Sequence, residues 1–176
     1  TGAGGSIGSE LCRQIASFQP SALILYERYE NGLYAVSGEL AARQFCCPIH
    51  ACIGDVTDAN RVDVVMREHR PDIIFHAAAH KHVPLMESSP CEAVKNNIFG
   101  TRIMIDAARR YDAERFILIS TDKAVNPSSV MGASKRVAEF LVQGMKHSNK
   151  CVYSVVRFGN VLGSNGSVVP RFLDQI

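Results

Sequence analysis

Four consecutive residues near the middle of the chain combine groups that could transfer protons. Two hydroxyls, a carboxylic acid and an amine occupy adjacent positions, Ser120, Thr121, Asp122 and Lys123. They follow the apolar run 116–119, which is typical of a buried strand. At the carboxyl end of that strand they could supply both a general acid and a general base. Helix capping by Thr121 or Asp122 is the alternative, and these four residues alone favour it.

Two further lysines stand in runs that could serve a ligand. Lys135 begins a predicted helix in the run MGASK, with Met131 four residues earlier. Lys81 lies in the run HAAAHKHVP after another predicted strand. Histidines on a strand and its following loop need not converge, so contact of Lys81 with sugar or phosphate is favoured over a metal site. The small residues of this run would let a cofactor lie against the backbone: Ala77, Ala78 and Ala79.

The chain opens with a glycine-rich run that could bind a dinucleotide. Glycines at positions 2, 5 and 8 lead directly into a helical pattern. A turn without side chains lets the backbone approach a pyrophosphate, and a helix N-terminus presents free N–H groups to it. Because glycine-rich turns are common, the pattern needs support from residues elsewhere. The contacts that we expect in this run are Gly2, Gly5, Ser6, Ile7 and Gly8.

Acidic residues after the next two predicted strands support dinucleotide binding. Glu27 follows the strand 22–26 at a spacing that suits hydrogen bonds from an adenosine ribose. Its charge would repel a 2′-phosphate and therefore favours NAD over NADP. Arg28 is either a partner for that phosphate or a solvated charge at the strand end. Asp55, followed by Val56, could reach the adenine amino group, although turn formation or helix capping also explains it.

The elements that must position these groups alternate in type along the chain. Apolar runs predict strands over residues 22–26, 48–53, 72–76, 115–120 and 152–157. Apolar residues at helical spacing predict helices over residues 7–18, 31–45, 58–69, 90–111 and 132–147. This alternation predicts an α/β fold: a Rossmann-type doubly wound parallel sheet with helices on both faces. Ligands are then expected beyond the carboxyl ends of the strands, where the groups above fall.

Length and composition limit the classes of function. The 176 residues suit one domain, and the net charge of +2 with scattered basic residues argues against nucleic acid as a partner. No apolar run reaches the roughly 20 residues of a membrane span. Six cysteines lack disulfide or zinc spacing, which predicts reduced thiols and no metal. We expect residues 1–176 to be a partial NAD-binding catalytic domain, with its first strand and a C-terminal sugar-binding part outside the chain.

Several long motifs together carry a resemblance to a known family. They are the glycine run, HAAAHKHVPLMES, EAVKNNIFGT, ISTDKAVNP, MGASKRVAE and VRFGNVLGSNGSV. The chain resembles the extended short-chain dehydrogenase/reductase superfamily, and within it the 4,6-dehydratases that act on UDP-N-acetylglucosamine in polysaccharide and glycan biosynthesis. Most of that superfamily uses a Tyr-x-x-x-Lys pair. Lys135 matches the lysine, but Met131 replaces the tyrosine and cannot exchange a proton. Large dehydratases of this group are similar in carrying methionine there, and they retain the configuration at C5.

The resemblance implies a cycle of oxidation at C4, loss of water across C5 and C6, and reduction at C6, with tightly held NAD. It implies that Lys123 removes the C5 proton and Asp122 protonates the departing C6 hydroxyl, while Thr121 and Lys135 polarise the C4 hydroxyl. Base chemistry requires a neutral Lys123, which burial or a nearby cation such as Lys81 would favour. The substrate contacts expected for the UDP-sugar are Lys81, Asn97, Arg157 and Asn160. Asn97 resembles a family position that orients this region, and an ordinary polar helix residue is the alternative.

The resemblance also implies a setting for the parent chain and leaves two rivals. It implies a cytoplasmic domain whose parent is anchored in the bacterial inner membrane, and we expect a homo-oligomer. A C4 epimerase or plain dehydrogenase on the same fold is the first rival, because a fold alone does not fix a reaction. A regulatory module that binds NAD without turnover is the second. Asp122, Lys123 and Met131 favour the dehydratase, since neither redox rival needs an elimination pair.

Overall fold

A computed structural model of the protein describes residues 1–43, 45–145 and 151–161. The strands are β1 (Leu23–Glu27), β2 (Ile49–Ile53), β3 (Ile73–His76), β4 (Arg115–Thr121) and β5 (Val152–Phe158). The α-helices are α1 (Ser6–Ser17), α2 (Glu30–Ala42), α3 (Ala59–His69), α4 (Val83–Ser88), α5 (Pro90–Ala93), α6 (Gly100–Arg110) and α7 (Val130–Gly144). A π-helical turn, Val94–Phe99, joins α5 to α6, and a 3₁₀ turn, Asp122–Ala124, follows β4.

All strand pairs of the described residues are parallel. β1 pairs with β2, and β4 lies between β3 and β5. The backbone of the first residues connects the two sets: the Thr1 nitrogen donates to the Phe75 carbonyl at 2.8 Å, and the Gly2 nitrogen donates to the Tyr26 carbonyl at 2.9 Å. The strand order therefore reverses between β1 and β3, which is the position where doubly wound sheets bind ligands.

Two apolar cores lie on opposite faces of the strands. Leu25 of β1 packs into the core formed with α1 and α2, whereas its neighbour Tyr26 packs into the core that includes residues of α3, α6 and α7. Successive strand residues point to opposite faces, so the helices cover both faces. This arrangement confirms the predicted Rossmann-type α/β fold. Within the described residues, no helix is long and apolar enough to cross a membrane.

The structure corrects two predicted helices. The helix predicted over 90–111 is interrupted by the π-helical turn 94–99, which places two asparagines, Asn96 and Asn97, in the interior. The short helix α4 was not apparent from periodicity because it has six residues. The helix predicted over 132–147 ends at Gly144, and its last two predicted positions lie outside the described residues. The strand boundaries differ from those predicted by one residue, which is within ordinary assignment differences.

Candidate active site

The glycine run forms a turn whose backbone leaves no room for side chains. Gly2 has a φ of 69°, and a Cβ there would lie 2.7 Å from the Ala78 nitrogen. A Cβ on Gly8 would lie 1.9 Å from the Gly2 carbonyl oxygen. Gly5 precedes α1 and has no side chain that could accept hydrogen bonds from the first N–H groups of the helix. This geometry suits a pyrophosphate at the helix N-terminus.

Glu27 connects the end of β1 to the glycine run. Its Oε2 atom accepts a hydrogen bond from the Gly4 nitrogen at 3.0 Å, and its Oε1 atom accepts one from the Tyr29 nitrogen at 2.9 Å. The carboxylate lies at the wall of a cavity of about 340 Å³ beside the glycine run. The cavity brings together many of the predicted cofactor contacts: Gly2, Gly5, Glu27, Arg28, Asp55, Val56, Ala77, Ala78 and Ala79. Ser6, Ile7 and Gly8 lie in the first turn of α1.

Asp55 forms a turn, which is one of the two alternatives that its sequence position left open. Its Oδ1 atom accepts hydrogen bonds at 2.8 Å from both the nitrogen and the hydroxyl of Thr57, as in a turn. Its Oδ2 atom lies 3.3 Å from Nη1 of Arg28. Burial acts to raise the pKa of Asp55, but the hydrogen bonds from Thr57 and Arg28 outweigh it and hold that pKa below its usual value. Asp55 is therefore a carboxylate at the cavity wall, and adenine contact stays a prediction.

The cavity fits a dinucleotide on the evidence of its own residues. Its lining includes the glycines of the first turn and the alanines after β3. The backbone is so close there that a Cβ added at Gly2 would collide with residues 77 and 78. Its two carboxylates, Glu27 and Asp55, lie at the carboxyl ends of adjacent strands. A close backbone approach at one end and hydrogen-bond acceptors at the other match a pyrophosphate and an adenosine, respectively.

Thr121, Asp122 and Lys123 lie at the carboxyl end of β4, as predicted. Asp122 Oδ1 accepts hydrogen bonds from Thr121 Oγ1 at 2.9 Å and from Lys123 Nζ at 3.1 Å. Lys123 Nζ also donates to Oδ1 of Asn160 at 3.0 Å. The Lys123 and Thr121 bonds hold the pKa of Asp122 below its usual value. Thr121 additionally accepts from the Lys123 backbone nitrogen, so local capping and the chemical cluster coexist.

The surroundings of Lys123 correct the predicted environment of a neutral base. Its side chain is 41% exposed and pairs with the Asp122 carboxylate, rather than lying buried or beside a bonded cation. The sequence could not reveal this, because exposure depends on what the rest of the fold places above the turn.

Lys135 is the buried lysine of the site. It is 5% exposed, and its Nζ donates to the Ile119 carbonyl of β4 at 2.7 Å. Burial lowers the pKa of Lys135 to about 8, with the Glu139 charge opposing that effect. Met131, one turn earlier in α7, is 4% exposed and packs with Met86 and Ala93. The thioether therefore occupies an apolar contact and offers no proton.

Glu139 is a buried carboxylate that the sequence did not single out. Its Oε1 atom accepts from Ser120 Oγ at 2.6 Å and from Arg157 Nε at 2.8 Å. Its Oε2 atom accepts from Arg157 Nη2 at 2.5 Å and from Arg136 Nη1 at 2.9 Å. Burial acts to raise the pKa of Glu139, but these hydrogen bonds bring it to about 2. Arg157 thus holds the end of β5 to α7, and its contact with substrate phosphate stays a prediction.

Glu139→Gln is expected to destabilise the fold in a pH-dependent way. Glutamine keeps the shape but removes the charge that Arg136 and Arg157 share, so we expect a loss of about 3 kcal/mol at pH 7. The pKa of the wild-type carboxyl falls from 4.5 to about 2 on folding. Its contribution is therefore present above pH 4.5 and is lost as the pH falls toward 2. Urea unfolding of both proteins across this range measures the difference.

The matched control for that experiment is Glu114→Gln. Glu114 is exposed at the start of β4, and its described bonds are made by the backbone. We expect its substitution to change the free energy of unfolding by about 0.5 kcal/mol or less. A Glu139 variant as stable as this control at pH 7 would contradict the role assigned to the buried carboxylate.

Asn97 orients the loop after β3 against α7. Its Nδ2 group donates to the His80 carbonyl at 3.0 Å and to Ser134 Oγ at 2.9 Å, and its Oδ1 atom accepts from the His80 nitrogen at 2.8 Å. The side chain is 1% exposed. These bonds agree with a role for Asn97 in orienting this region, and its contact with substrate stays a prediction. Lys81 is exposed on the same loop, and its substrate contact stays a prediction.

The histidine that ends β3 and the histidine in the loop after it lie in different surroundings. His76 is fully buried and bonds Thr1 Oγ1 at 2.7 Å and Thr101 Oγ1 at 3.1 Å, whereas His80 lies near Arg28 at the cavity. Burial lowers the pKa of His76 well below its usual value, so the ring is neutral. Among the residues that the structure describes, no group of three or more potential ligands could hold a metal ion.

Comparison with known proteins assigns the chain to a family. The family described as polysaccharide biosynthesis protein matches residues 1–176. The chain belongs to this family. One relative is the capsular polysaccharide biosynthesis protein CapD of Staphylococcus aureus, which is 50% identical over 100% of this chain and 30% of CapD. A UDP-N-acetylglucosamine 4,6-dehydratase (inverting) of Campylobacter jejuni is 38% identical over 98% of this chain and 51% of that protein.

An epimerase and two solved structures complete the comparison of this family member. A UDP-glucose 4-epimerase of Rickettsia canadensis is 43% identical over 70% of this chain and 37% of its own length. Pen from Bacillus thuringiensis, 34% identical, superposes with a TM-score of 0.90 over 99% of this chain and 55% of Pen. A UDP-glucose 4-epimerase from Brucella ovis in complex with NAD, 21% identical, shares the fold with a TM-score of 0.74 over 90% of this chain and 50% of that one. The chain spans 30% to 51% of the length of the curated relatives named here.

Proposed function

We propose that this chain is the NAD-binding catalytic part of a nucleoside-diphosphate-sugar 4,6-dehydratase that acts on UDP-N-acetylglucosamine. The observation that carries the proposal is the Asp122–Lys123 pair at the carboxyl end of β4. Elimination of water needs a base for the C5 proton and an acid for the C6 hydroxyl, and adjacent residues supply both. Relatives named as sugar-nucleotide enzymes support a sugar-nucleotide substrate, and polysaccharide biosynthesis is the family setting.

The elimination pair has distinct roles on the substrate. Lys123 removes the proton from C5, which is acidic because the carbanion is conjugated with a ketone at C4. Asp122 gives its proton to the C6 hydroxyl, which leaves as water. Bound NAD would supply the oxidation at C4 and the later reduction at C6, so the reaction needs no external reductant. Returning the C5 proton from Lys123 to the same face retains the C5 configuration, whereas the Campylobacter relative is named inverting.

The resting state of Asp122 differs from the state that its role requires, because the bonds from Lys123 and Thr121 hold the pKa of Asp122 below its usual value. Elimination needs a neutral Lys123 and a protonated Asp122, which together hold one proton. A substrate that covers the exposed turn would exclude water, and an ion pair out of water is expensive relative to its neutral form. Substrate binding is therefore the step that we expect to move the proton onto Asp122.

Thr121 and Lys135 are the proposed groups at the C4 hydroxyl. Thr121 ends β4, and Lys135 reaches the same strand through its bond to Ile119. The pKa of Lys135, lowered to about 8 by burial, lets it exchange a proton near neutral pH. The absence of a hydroxyl at Met131 leaves this work to these two residues.

The cofactor preference rests on Glu27. A nicotinamide dinucleotide is supported by the fold and its NAD-containing relative, and NAD over NADP is our proposal. We expect nucleotide-stripped protein to bind NAD at least about 10-fold more tightly than NADP, because the Glu27 charge opposes a 2′-phosphate. Glu27→Gln should lower the ratio of the affinity for NAD to the affinity for NADP, which calorimetry measures. Glu30→Gln, an exposed helix residue, is the matched control; an unchanged ratio in the Glu27 variant would reject the assignment.

A C4 epimerase is the second candidate, because the Rickettsia relative carries that name. An epimerase exchanges hydrogen only at C4 and has no need of a base for C5. Met131 further disfavours it, since the tyrosine that most of the superfamily uses at C4 is absent. A silent regulatory module would bind NAD and change no sugar nucleotide.

A longer parent protein is also part of the proposal. A cavity of about 280 Å³ lies between β1 and β3 and is lined by apolar side chains such as Ile24, Ile74 and Met104. Residues of both strands line it, and Thr1 also contributes to its lining. That a further strand and a C-terminal sugar-binding part lie outside residues 1–176 stays a prediction. Attachment of that parent to the cytoplasmic side of a membrane and its assembly into a homo-oligomer stay predictions.

Mass spectrometry of the reaction tests the proposed function. The full-length protein should convert UDP-N-acetylglucosamine to a product lighter by one water. An epimerase would give a product of unchanged mass that separates from the substrate by chromatography. Unchanged substrate with NAD bound would favour the silent module.

A further inference from the structure

Lys123 and Asn160 meet at equivalent places on adjacent strands. Thr121 of β4 is in register with Phe158 of β5. Lys123 lies two positions after Thr121, and Asn160 lies two positions after Phe158. The two chain segments therefore leave the sheet side by side. At this point Lys123 Nζ donates to Asn160 Oδ1 at 3.0 Å. The bond joins the lysine of the proposed elimination pair to the segment after the last described strand.

One buried carboxylate connects β4 and β5 next to this contact. Ser120 and Arg157 are directly paired across β4 and β5. Glu139 Oε1 accepts hydrogen bonds from both of them, at 2.6 and 2.8 Å, and its side chain is fully buried. Helix α7 therefore holds the two strand ends at a set spacing. The positions of Lys123 and Asn160 follow from that spacing.

We propose that Asn160 is a positioning residue that holds Lys123 Nζ in place for removal of the C5 proton. This inference rests on the proposed dehydratase function. Lys123 Nζ has two acceptors in the structure, Asp122 Oδ1 and Asn160 Oδ1. While Asp122 carries the proton that it later donates to the leaving hydroxyl, it is not an anion that anchors the amine. The Asn160 amide oxygen is the acceptor whose charge does not change during the reaction.

An amide suits this position better than a carboxylate. Its oxygen accepts an N–H from the lysine whether or not the amine is charged. It adds no negative charge that would favour the protonated amine. An amide oxygen also takes no proton from the lysine at neutral pH, so the proton exchange stays between Lys123, Asp122 and the substrate.

This role differs measurably from direct contact with the sugar diphosphate, which the resemblance predicted for Asn160. A residue that binds phosphate affects the affinity for the substrate. A residue that positions the base affects the proton-transfer step after the substrate has bound. Displacement of a reacting group by about 1 Å can reduce a rate by roughly 100-fold.

The test compares Asn160→Ala with wild type in the full-length, NAD-loaded protein. We expect kcat to fall by about 10- to 100-fold, while the dissociation constant for UDP-N-acetylglucosamine, measured by calorimetry, stays within about 2-fold. Deuterium at C5 of the substrate should slow the variant more than it slows wild type, whereas deuterium at C4 should not. Asn160→Gln keeps the amide but displaces it, and it replaces the alanine variant in the test if that variant folds poorly. We expect the same loss of kcat, the same substrate affinity and the same C5 isotope effect in the glutamine variant.

Asn60→Ala, on the exposed surface of α3, is the matched control and should match wild type in every measurement. An unchanged kcat in both Asn160 variants, or a weaker substrate affinity with unchanged kcat and C5 isotope effect, would overturn the proposal. Wild-type protein that forms no dehydrated product would instead reject the proposed function itself, so the two failures are distinguishable.

Discussion

Asp122→Asn is expected to abolish dehydration while NAD remains bound. Asparagine has the same shape and can still accept hydrogen bonds from Thr121 and Lys123, but it has no acidic proton for the C6 hydroxyl. Loss of a general acid typically lowers a rate by about 100- to 10,000-fold. Product formation by NMR and the NAD content of the purified full-length protein measure the two effects separately.

Asp106→Asn provides the matched control for the acid. Asp106 lies on α6 and pairs with Arg102 and Arg109, away from the cluster at β4. Its substitution removes the same charge but should leave turnover unchanged. Dehydration that persists in the Asp122 variant at the rate of this control would contradict the role of Asp122.

Gly8→Ala should prevent cofactor binding and destabilise the fold. The added Cβ would lie 1.9 Å from the carbonyl oxygen of Gly2 and 2.6 Å from the carbonyl carbon of Gly2. Backbone cannot withdraw like a flexible side chain, so the glycine turn and α1 must separate. We expect a loss of about 3 kcal/mol in the free energy of unfolding, together with loss of bound NAD. Urea unfolding and the NAD content of purified protein test both expectations.

Gly38→Ala is the corresponding control. Gly38 is exposed in the interior of α2, and a Cβ there would meet nothing within 4 Å. Alanine should therefore stabilise the protein by about 0.5 to 1 kcal/mol, because glycine is a poor helix former. If the Gly8 variant retained as much NAD as the Gly38 variant, the glycine turn would not be the binding site of the cofactor.

The fold was predictable because its signals are local. Apolar runs such as 116–119 and helical spacing after the glycine run identify their elements without tertiary information. The same runs place the cluster 121–123 at a strand end, where the structure has it. The position of the cavity beside the glycine run follows from the same logic, since parallel strands end at one edge.

The supporting residues were not predictable because burial of a polar group depends on distant partners. In the sequence, Glu139 is an ordinary polar position within the helical pattern of α7. Its structural role is evident only from the hydrogen bonds that Ser120 and Arg157 donate to it from two strands. Asn97 is similar, because its enclosure results from an interruption of the helix that periodicity does not reveal. The exposed ion pair of Lys123 likewise depends on what covers the turn. The sequence specifies reactive groups more directly than their surroundings.

Proton NMR on UDP-N-acetylglucosamine incubated with the full-length protein, with no cofactor added, tests the central claim most directly. The dehydratase account predicts a new methyl signal at C6 together with a 4-keto sugar, because the cofactor that the protein retains would be regenerated in each turnover. A spectrum that shows only the substrate, or a sugar altered at C4 with its C6 hydroxymethyl group intact, would contradict it.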